Sequence, residues 1–200
     1  MKLTRSDIEA SQTSGKSGKE GTVHVVRGAS GTSYAIKLFK RRKSPQNIRQ
    51  EAELQDIAAE AGVTPRVLCC NLTEKFIAME LLCETYVEWA RRNGVVDMSE
   101  EHEKRLMHIC DCLDEVGVVQ NDGNPLNLMV DGAGKLFVVD FGFAKRVNAE
   151  ILRVRGNSPN TDLTLWDFQR RLPRYGIRAA RCSARVSRYT AQRKAAASVK

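Results

Sequence analysis

The sequence predicts an α+β fold in which a β-rich amino-terminal part precedes a mostly helical carboxy-terminal part. Two alternating apolar runs, "TVHVV" and "YAIKLFK", flank a Gly-containing turn near the amino terminus, a pattern typical of a β-hairpin. Past residue 83, apolar residues recur at helical spacing instead. The 200 residues are 42% hydrophobic and 28% charged, which predicts a globular chain of one or two domains.

The amino-terminal part is predicted to be a sheet of four or five strands with one inserted helix. Residues 14–23, "SGKSGKEGTV", form a glycine-rich approach to the first hairpin. Ser44 can cap the helix and Pro45 suits its first turn, while Gly62 is a natural stop. The runs "RVLCC" and "KFIAMELL" then predict two more strands.

The carboxy-terminal part is predicted to contain helices at residues 84–92 and 99–116, then a short hairpin, "NLMV" and "LFVV". A further helix is predicted over residues 161–172, "TDLTLWDFQRRL". One apolar face of the second helix is formed by Leu106, Ile109, Cys110, Leu113 and Val116.

The cysteines and the amino terminus predict an intracellular, cytoplasmic protein without a membrane partner. Six cysteines include no C-x-x-C pair, which favours reduced thiols over a metal or disulfide framework. "MKLTRSDIEASQ" contains no apolar run after its Lys, so neither a signal peptide nor a membrane span is expected. "KRRK" at 40–43 could serve as a nuclear address, but solvated charge is the simpler interpretation.

Positive charge is concentrated at the carboxy terminus. Residues 1–144 carry 18 Lys and Arg against 21 Asp and Glu, net −3, whereas residues 145–200 carry 14 against 3, net +11. If the segment is helical, one basic stripe comprises Arg174, Arg178, Arg181, Arg185 and Arg188. The stripe predicts an RNA or another acidic partner for residues 174–200; the alternative is a solvated helix face or a disordered tail.

Four polar residues form the candidate catalytic set, and Glu51 is the candidate that holds one of them, Lys37. Asp122 and Asn127 lie in "QNDGNPLN", and Asp140 follows the strand "LFVV". Lys37 lies on a predicted strand, and Glu51 falls on the apolar side of the predicted helix, where a carboxylate needs a cation. Two alternatives remain: Asp, Asn and Gly are also common turn formers, and Glu53 could replace Glu51.

The order of these features resembles the protein-kinase signature set: a glycine-rich turn, "YAIK", a helical carboxylate, "DGNPLN" and "DFG". The resemblance covers about residues 14–145. It implies a two-lobed protein-kinase-like fold, with a β-rich lobe at 1–82, a truncated helical lobe at 83–172 and a basic tail at 173–200.

The resemblance also implies ATP and Mg²⁺ as cofactors. Asp122 would accept the proton of the attacking hydroxyl, Lys37 would contact the α- and β-phosphates, and Glu51 would hold Lys37. Asn127 and Asp140 would bind Mg²⁺ through oxygen. The remaining nucleotide contacts would be Gly18, Gly21, Val23, Ala35, Met79, Glu80, Leu82 and Met129.

The sequence departs from the kinase pattern at several positions. Gln120 and Asn121 replace the usual His and Arg, Asn124 replaces a Lys, and Lys16 stands where the first glycine belongs. Without that Arg, regulation by a phosphorylated loop is not expected. There is also no A-P-E segment. Atypical kinases of the RIO type and the kinase of the KEOPS complex are similar in compactness and in "AGVTPRVL", and a reduced virus-encoded kinase is an equal contender.

The predicted function is a small serine/threonine protein kinase that transfers the γ-phosphate of ATP to a protein hydroxyl, its own included. One alternative is a pseudokinase that binds nucleotide as a scaffold. Another is a small-molecule kinase, because "D-x-x-P-x-N" also resembles the catalytic loop of aminoglycoside and choline kinases.

Overall fold

The computed structural model describes residues 3–14, 18–28 and 31–197. Strands and helices both occur in these residues, which confirms the predicted α+β class. The chain divides into two compact units, Met1–Leu82 and Cys83–Lys200. The functions predicted for residues 1–82, 83–172 and 173–200 stay predictions.

The first unit is built on a five-stranded sheet in the order β1-β2-β3-β5-β4, and neighbouring strands are antiparallel. The strands are β1 (Gln12–Ser14), β2 (Gly21–Arg27), β3 (Ser33–Phe39), β4 (Val67–Asn71) and β5 (Phe76–Glu80). Helix α1 (Arg5–Glu9) precedes the sheet, and helix α2 (Pro45–Glu60) is inserted between β3 and β4. This arrangement confirms the predicted sheet with one inserted helix.

Alternation along β3 gives the first unit two apolar clusters. Ile36 and Leu38 pack with Ile8 of α1, whereas Ala35 and Phe39 pack with Ile48 of α2. Successive strand residues point to opposite faces of a sheet, so Lys37 shares the face of the sheet that α2 covers.

The second unit combines helices with two small sheets. The helices are α3 (Tyr86–Arg92), α4 (Glu100–Glu115), α5 (Ala149–Arg155), α6 (Trp166–Arg171) and α7 (Ala180–Ala197). The strands are β6 (Glu84–Thr85), β7 (Val118–Val119), β8 (Leu128–Val130), β9 (Leu136–Val138) and β10 (Lys145–Arg146). Strands β6, β8 and β9 form one sheet in that order, and β7 pairs with β10.

One of the predicted elements in this unit differs in detail. The helix predicted over 161–172 consists of a π-helical turn, Thr161–Leu165, followed by α6. The short hairpin is confirmed, with Leu128 opposite Val138. Strands β7 and β10 were not predicted, because two-residue strands carry no readable alternation.

Helix α7 packs against the rest of the second unit instead of extending as a free basic tail. Cys182 and Val186 are buried on it. The buried carboxylate of Glu103, on α4, accepts a hydrogen bond from the backbone N–H of Cys182 at 2.8 Å. Glu103 therefore caps the first turn of a neighbouring helix, where backbone N–H groups lack partners within the helix.

The expectation of five arginines on one helical stripe is wrong. Arg174 lies in a 3₁₀ turn, Leu172–Tyr175, and Arg178 also precedes the helix, which begins at Ala180. Three of the five arginines bind acidic residues of the same unit: Arg178 pairs with Asp97, Arg181 with Glu100, and Arg185 with Asp111. These pairs neutralise much of the charge that was assigned to an acidic partner.

All six cysteines are free thiols. Cys70 and Cys83 are exposed, while Cys110, Cys112 and Cys182 are buried. Burial, with a smaller contribution from Glu103, raises the pKa of Cys182 to about 12. Across residues 3–14, 18–28 and 31–197, none of the helices combines the length and apolar character that a membrane crossing requires.

Candidate active site

Lys37 and Glu51 form a buried ion pair in the first unit. The Lys37 Nζ atom lies 2.5 Å from Oε1 of Glu51, and Glu51 is 2% exposed. Glu53, the alternative partner, is exposed on the opposite side of α2. A charge this far from water is stable only with a partner of opposite sign, so the pair fixes the position of the Lys37 ammonium group.

Lys43 also contacts Glu51, so the interpretation of "KRRK" as solvated charge is wrong for this residue, whereas Lys40, Arg41 and Arg42 are exposed as expected. Its ammonium group lies 3.4 Å from Oε2 of Glu51 and 2.6 Å from Glu20, and its side chain is 9% exposed. The Lys37 and Lys43 ammonium groups both approach the ring of Phe39. Glu51 thus has two cationic neighbours, and the sequence indicated one.

The other nucleotide positions predicted in the first unit lie along the sheet. Val23 pairs with Lys37, and Ala35 pairs with Met79. The N–H of Glu80, at the end of β5, donates to the carbonyl of Arg66 at 3.1 Å. Leu82, partly buried, is the last residue of the unit.

The glycine-rich approach is described only in part, because Gly15 and Lys16 lie outside the described residues. The Gly18 N–H donates to the Gly21 carbonyl at 2.8 Å and closes the turn before β2. A Cβ atom on Gly21 would lie 2.3 Å from the Leu38 carbonyl oxygen. Gly21 is therefore required for the pairing of β2 with β3, whatever its role toward phosphate.

Asp122 and Asn127 are joined in the second unit. The Asn127 amide nitrogen donates to Oδ2 of Asp122 at 3.0 Å and to its carbonyl at 3.3 Å. Asn127 belongs to a 3₁₀ turn, Pro125–Asn127, that leads directly into β8. Its carbonyl accepts from the Val139 N–H at 2.9 Å, which places Asp140 at the same end of the hairpin. Met129 lies two residues after Asn127, on β8 and opposite Phe137.

Gln120 connects the two carboxylate-bearing segments. Its side-chain oxygen accepts from the Asp122 N–H at 2.8 Å. Its side-chain nitrogen donates to the Asp140 carbonyl at 3.1 Å and to the Val139 carbonyl at 3.3 Å. Sequence reasoning treated Gln120 only as a departure from the kinase pattern, yet this buried amide holds Asp122 and Asp140 in register.

A second buried amide, Asn160, supports the loop from behind. Its side-chain oxygen accepts from the Gln120 N–H at 3.1 Å and from the Thr164 hydroxyl at 3.1 Å. Its side-chain nitrogen donates to Asp114 and to the Val118 carbonyl, each at 2.7 Å. The sequence signal was weak, since Asn160 precedes a helix and reads as an ordinary cap.

Burial raises the pKa of Asp114 to about 6, although its hydrogen bonds with Asn160 oppose the shift. The Oδ2 atom of Asp114 is buried and has no hydrogen-bond partner among the described residues. Asp114 is therefore the titratable end of the network that reaches Gln120 through Asn160.

Backbone geometry at the loop is also special. Asn121 and Asp140 have φ values of 62° and 64°, a left-handed conformation that few residues other than glycine adopt. A Cβ atom on Gly123 would lie 2.3 Å from the Thr164 carbonyl oxygen and 2.5 Å from the Asp167 Cβ. Gly123 thus allows the loop to lie directly against the first turn of α6. The sequence does not reveal this approach, because it involves residues about forty positions apart.

Opposing effects act on the pKa of the Asp122 carboxyl group. Burial, and to a smaller extent the charge of Asp140, raises its pKa, while the Asn127 hydrogen bond and the charge of Arg171 lower it. The net shift is upward, which suits a group that must receive a proton during a reaction. Arg171 was not singled out from the sequence; its Nη1 atom lies 3.9 Å from Oδ1 of Asp122.

The donor set at the end of the hairpin fits Mg²⁺. The Asn127 nitrogen makes both hydrogen bonds to Asp122, which leaves its amide oxygen for a cation, and the Asp140 carboxylate accepts from the Gly142 N–H at 3.2 Å. Within the described residues, no group of three or more His, Cys, Asp or Glu side chains could hold a metal ion. Two hard oxygen donors suit Mg²⁺, which usually completes its shell with water and phosphate oxygens.

Comparison with known proteins shows a partial similarity to a kinase. No family model matches the chain. A serine/threonine-protein kinase of Arabidopsis thaliana, PEPKR2, is 28% identical over 139 residues, which is 65% of this chain. The match covers 28% of the length of that kinase, so the chain is similar to a limited part of it.

Proposed function

We propose that this protein is an ATP- and Mg²⁺-dependent phosphotransferase, and that it is a small serine/threonine protein kinase. The observation that carries the proposal is the Gln120 side chain, which binds the Asp122 N–H and the Asp140 carbonyl together. This connection supports the proposal because phosphoryl transfer requires a base and a metal-ligand carboxylate close together, the roles that we give to Asp122 and Asp140.

Each residue has a task in this reaction. Asp122 orients the acceptor hydroxyl and receives its proton as the oxygen attacks the γ-phosphorus. Lys37, held by Glu51, contacts the α- and β-phosphates. Asn127 and Asp140 would hold Mg²⁺, which would neutralise charge on the phosphate oxygens. The similarity to PEPKR2 supports kinase chemistry in general.

The protein acceptor is the finer part of the proposal. The acceptor could be a second protein or a hydroxyl of the chain itself. The pseudokinase alternative draws on Gln120 and Asn121, which replace the usual His and Arg, and on the missing first glycine of the glycine-rich turn. It is weakened by the intact hydrogen bonds around Asp122. The small-molecule alternative rests on the "D-x-x-P-x-N" spacing alone.

A transfer assay tests the proposal. Purified protein is incubated with γ-labelled ATP and Mg²⁺, alone and with a basic protein acceptor, beside Asp122→Asn and Asp140→Asn. We expect label on protein serine or threonine with the wild type and at least a 100-fold lower rate with each variant. Equal labelling by wild type and variants would exclude the enzyme, and nucleotide-dependent thermal stabilisation of that inactive wild type would favour the scaffold.

A further inference from the structure

Helix α6 brings a cation to the candidate catalytic loop. Because Gly123 lets the loop touch α6 at Asp167, a side chain one helical turn beyond Asp167 reaches the carboxylate of Asp122. Arg171 is that side chain, four residues after Asp167. Arg171 is the last residue of α6, and its side chain is 32% exposed.

Arg171 approaches Asp122 without making a direct hydrogen bond to it. Its Nη2 atom donates to Asp167 at 3.2 Å, which fixes the guanidinium plane. Its Nη1 atom lies 3.9 Å from Oδ1 of Asp122, too far for a direct hydrogen bond. In the described part of the chain, neither this nitrogen nor Oδ1 of Asp122 makes another hydrogen bond. A donor and an acceptor thus lie 3.9 Å apart as an ion pair, and both remain able to hydrogen-bond a substrate oxygen or hydroxyl.

The neighbouring sequence lacks the cation that such a site needs. Asn124, two residues after Asp122, replaces the Lys with which many serine/threonine kinases steady the transferred phosphate. The Asn124 side chain instead caps a 3₁₀ turn by accepting from the Leu126 N–H at 3.2 Å. Its amide carries no charge to offset that of a phosphoryl group.

We infer that Arg171 is a catalytic residue that donates hydrogen bonds to the phosphoryl group in transfer and replaces the missing Lys. The inference rests on the proposed function. The hydroxyl oxygen bonds to the γ-phosphorus as the bond to the β-bridging oxygen breaks and ADP leaves with that electron pair. The proton passes to Oδ1 of Asp122 while Arg171 stabilises the negative charge on the phosphoryl oxygens.

Kinetics of Arg171 variants test the inference. We expect Arg171→Met to lower kcat about 100-fold or more with little change in the KM of the acceptor, because the contact strengthens in the transition state. Arg171→Lys should keep part of the rate. Adding Asn124→Lys to Arg171→Met should raise kcat at least tenfold above that of Arg171→Met alone. Arg170→Met is the control, since Arg170 also bonds Asp167 but stacks on Trp166.

The pH profile separates this role from a role in positioning Asp122. If Arg171 only lowers the pKa of Asp122 or orients its carboxylate, the loss of kcat in Arg171→Met will shrink at high pH, where Asp122 is ionised without the help of Arg171. A phosphoryl contact predicts a deficit of constant size from pH 6 to 9. A deficit that disappears at high pH, or an Arg171→Met enzyme as fast as the Arg170→Met control, would overturn the inference.

Nucleotide affinity gives a readout that needs no turnover. With Mg²⁺ present, calorimetry of Arg171→Met should show at least threefold weaker binding of ATP and unchanged binding of ADP. If the wild type transfers no phosphate, the proposed function fails, and an ATP-specific loss still supports the contact. Equal ATP affinities in wild type and Arg171→Met would refute it.

Discussion

Buried side-chain amides fix the positions of single residues in the candidate catalytic loop through hydrogen bonds. Gln120 and Asn160 are both 0% exposed, and their amides satisfy backbone groups that would otherwise be buried without partners. Gly123 meets a different requirement, because it has no Cβ atom to separate the loop from α6. The site thus depends on small, uncharged groups as much as on its carboxylates.

The close approach at Gly123 makes a specific prediction. Gly123→Ala should displace the loop from α6 and lower kcat by about 100-fold, since a shift near 1 Å disrupts catalytic alignment. It should also cost about 1–3 kcal/mol of unfolding free energy through overpacking. Steady-state kinetics and urea unfolding measure both effects. Gly132→Ala is the control, because its Cβ would meet only the Cys83 sulfur at 3.9 Å.

Asp114 gives the molecule a pH-dependent stability. Its pKa rises from 3.8 to about 6 on folding, so the native state binds more protons than the unfolded state between about pH 4 and 6. The free energy of unfolding then falls as the pH rises through this window. Asp111 and Arg185 are its charged neighbours.

Asp114→Asn should remove this part of the pH dependence. The free energies of unfolding of wild type and variant, from urea titrations at pH 4 to 7, should change relative to each other between about pH 4 and 6, where the wild type loses relative stability as the pH rises, and level off above that window. Parallel curves would show that Asp114 does not titrate in this range.

At the scale of helices and strands, the sequence predicted elements that carry a local signal. Ser44 and Pro45 mark the start of α2, and the Ser44 side chain accepts from the Asn47 N–H at 3.2 Å. The buried side of α2 was predicted too, so Glu51 was chosen correctly over the exposed Glu53 as the carboxylate that pairs with Lys37. The placement of α7 was not predictable, because its cap comes from Glu103, about eighty residues earlier in the chain.

The Glu103 cap of α7 can be tested by substitution. Glu103→Ala should lower the free energy of unfolding by about 1–3 kcal/mol, because the Cys182 N–H loses its buried acceptor. Glu103→Gln should cost less, since its amide oxygen can still accept. Chemical denaturation compares both with Glu101→Ala, which changes an exposed residue of the same turn and should differ from wild type by less than about 0.5 kcal/mol.

In the whole molecule, ion pairs within the second unit neutralise part of the positive charge that is concentrated at the carboxy terminus. The basic segment faces acidic residues of α4 and the turn before it, which sequence distance concealed: Arg178 meets Asp97, and Arg185 meets Asp111. Arg174 and Arg188 form no ion pair among the described residues. They are the stripe positions still open to the proposed RNA or acidic partner.

Removal of residues 174–200 should therefore destabilise the protein, in addition to removing positive charge. The deletion removes the buried side chains of Ile177, Cys182 and Val186, and we expect a loss of about 4 kcal/mol or more. Urea unfolding followed by circular dichroism measures the loss. The double variant Arg174→Gln, Arg188→Gln should keep wild-type stability while lowering affinity for single-stranded RNA. Unchanged stability of the deletion would contradict the packing of α7.

The two exposed thiols are natural positions for attaching spectroscopic labels. Cys70 and Cys83 are exposed, and they belong one to each compact unit. The buried thiols of Cys110 and Cys182 are shielded from alkylating reagents, and their pKa values are raised by burial. With the half-buried Cys69 replaced by serine, donor and acceptor dyes can be attached at the two native positions. Energy transfer between the dyes then measures the distance between these two positions in solution.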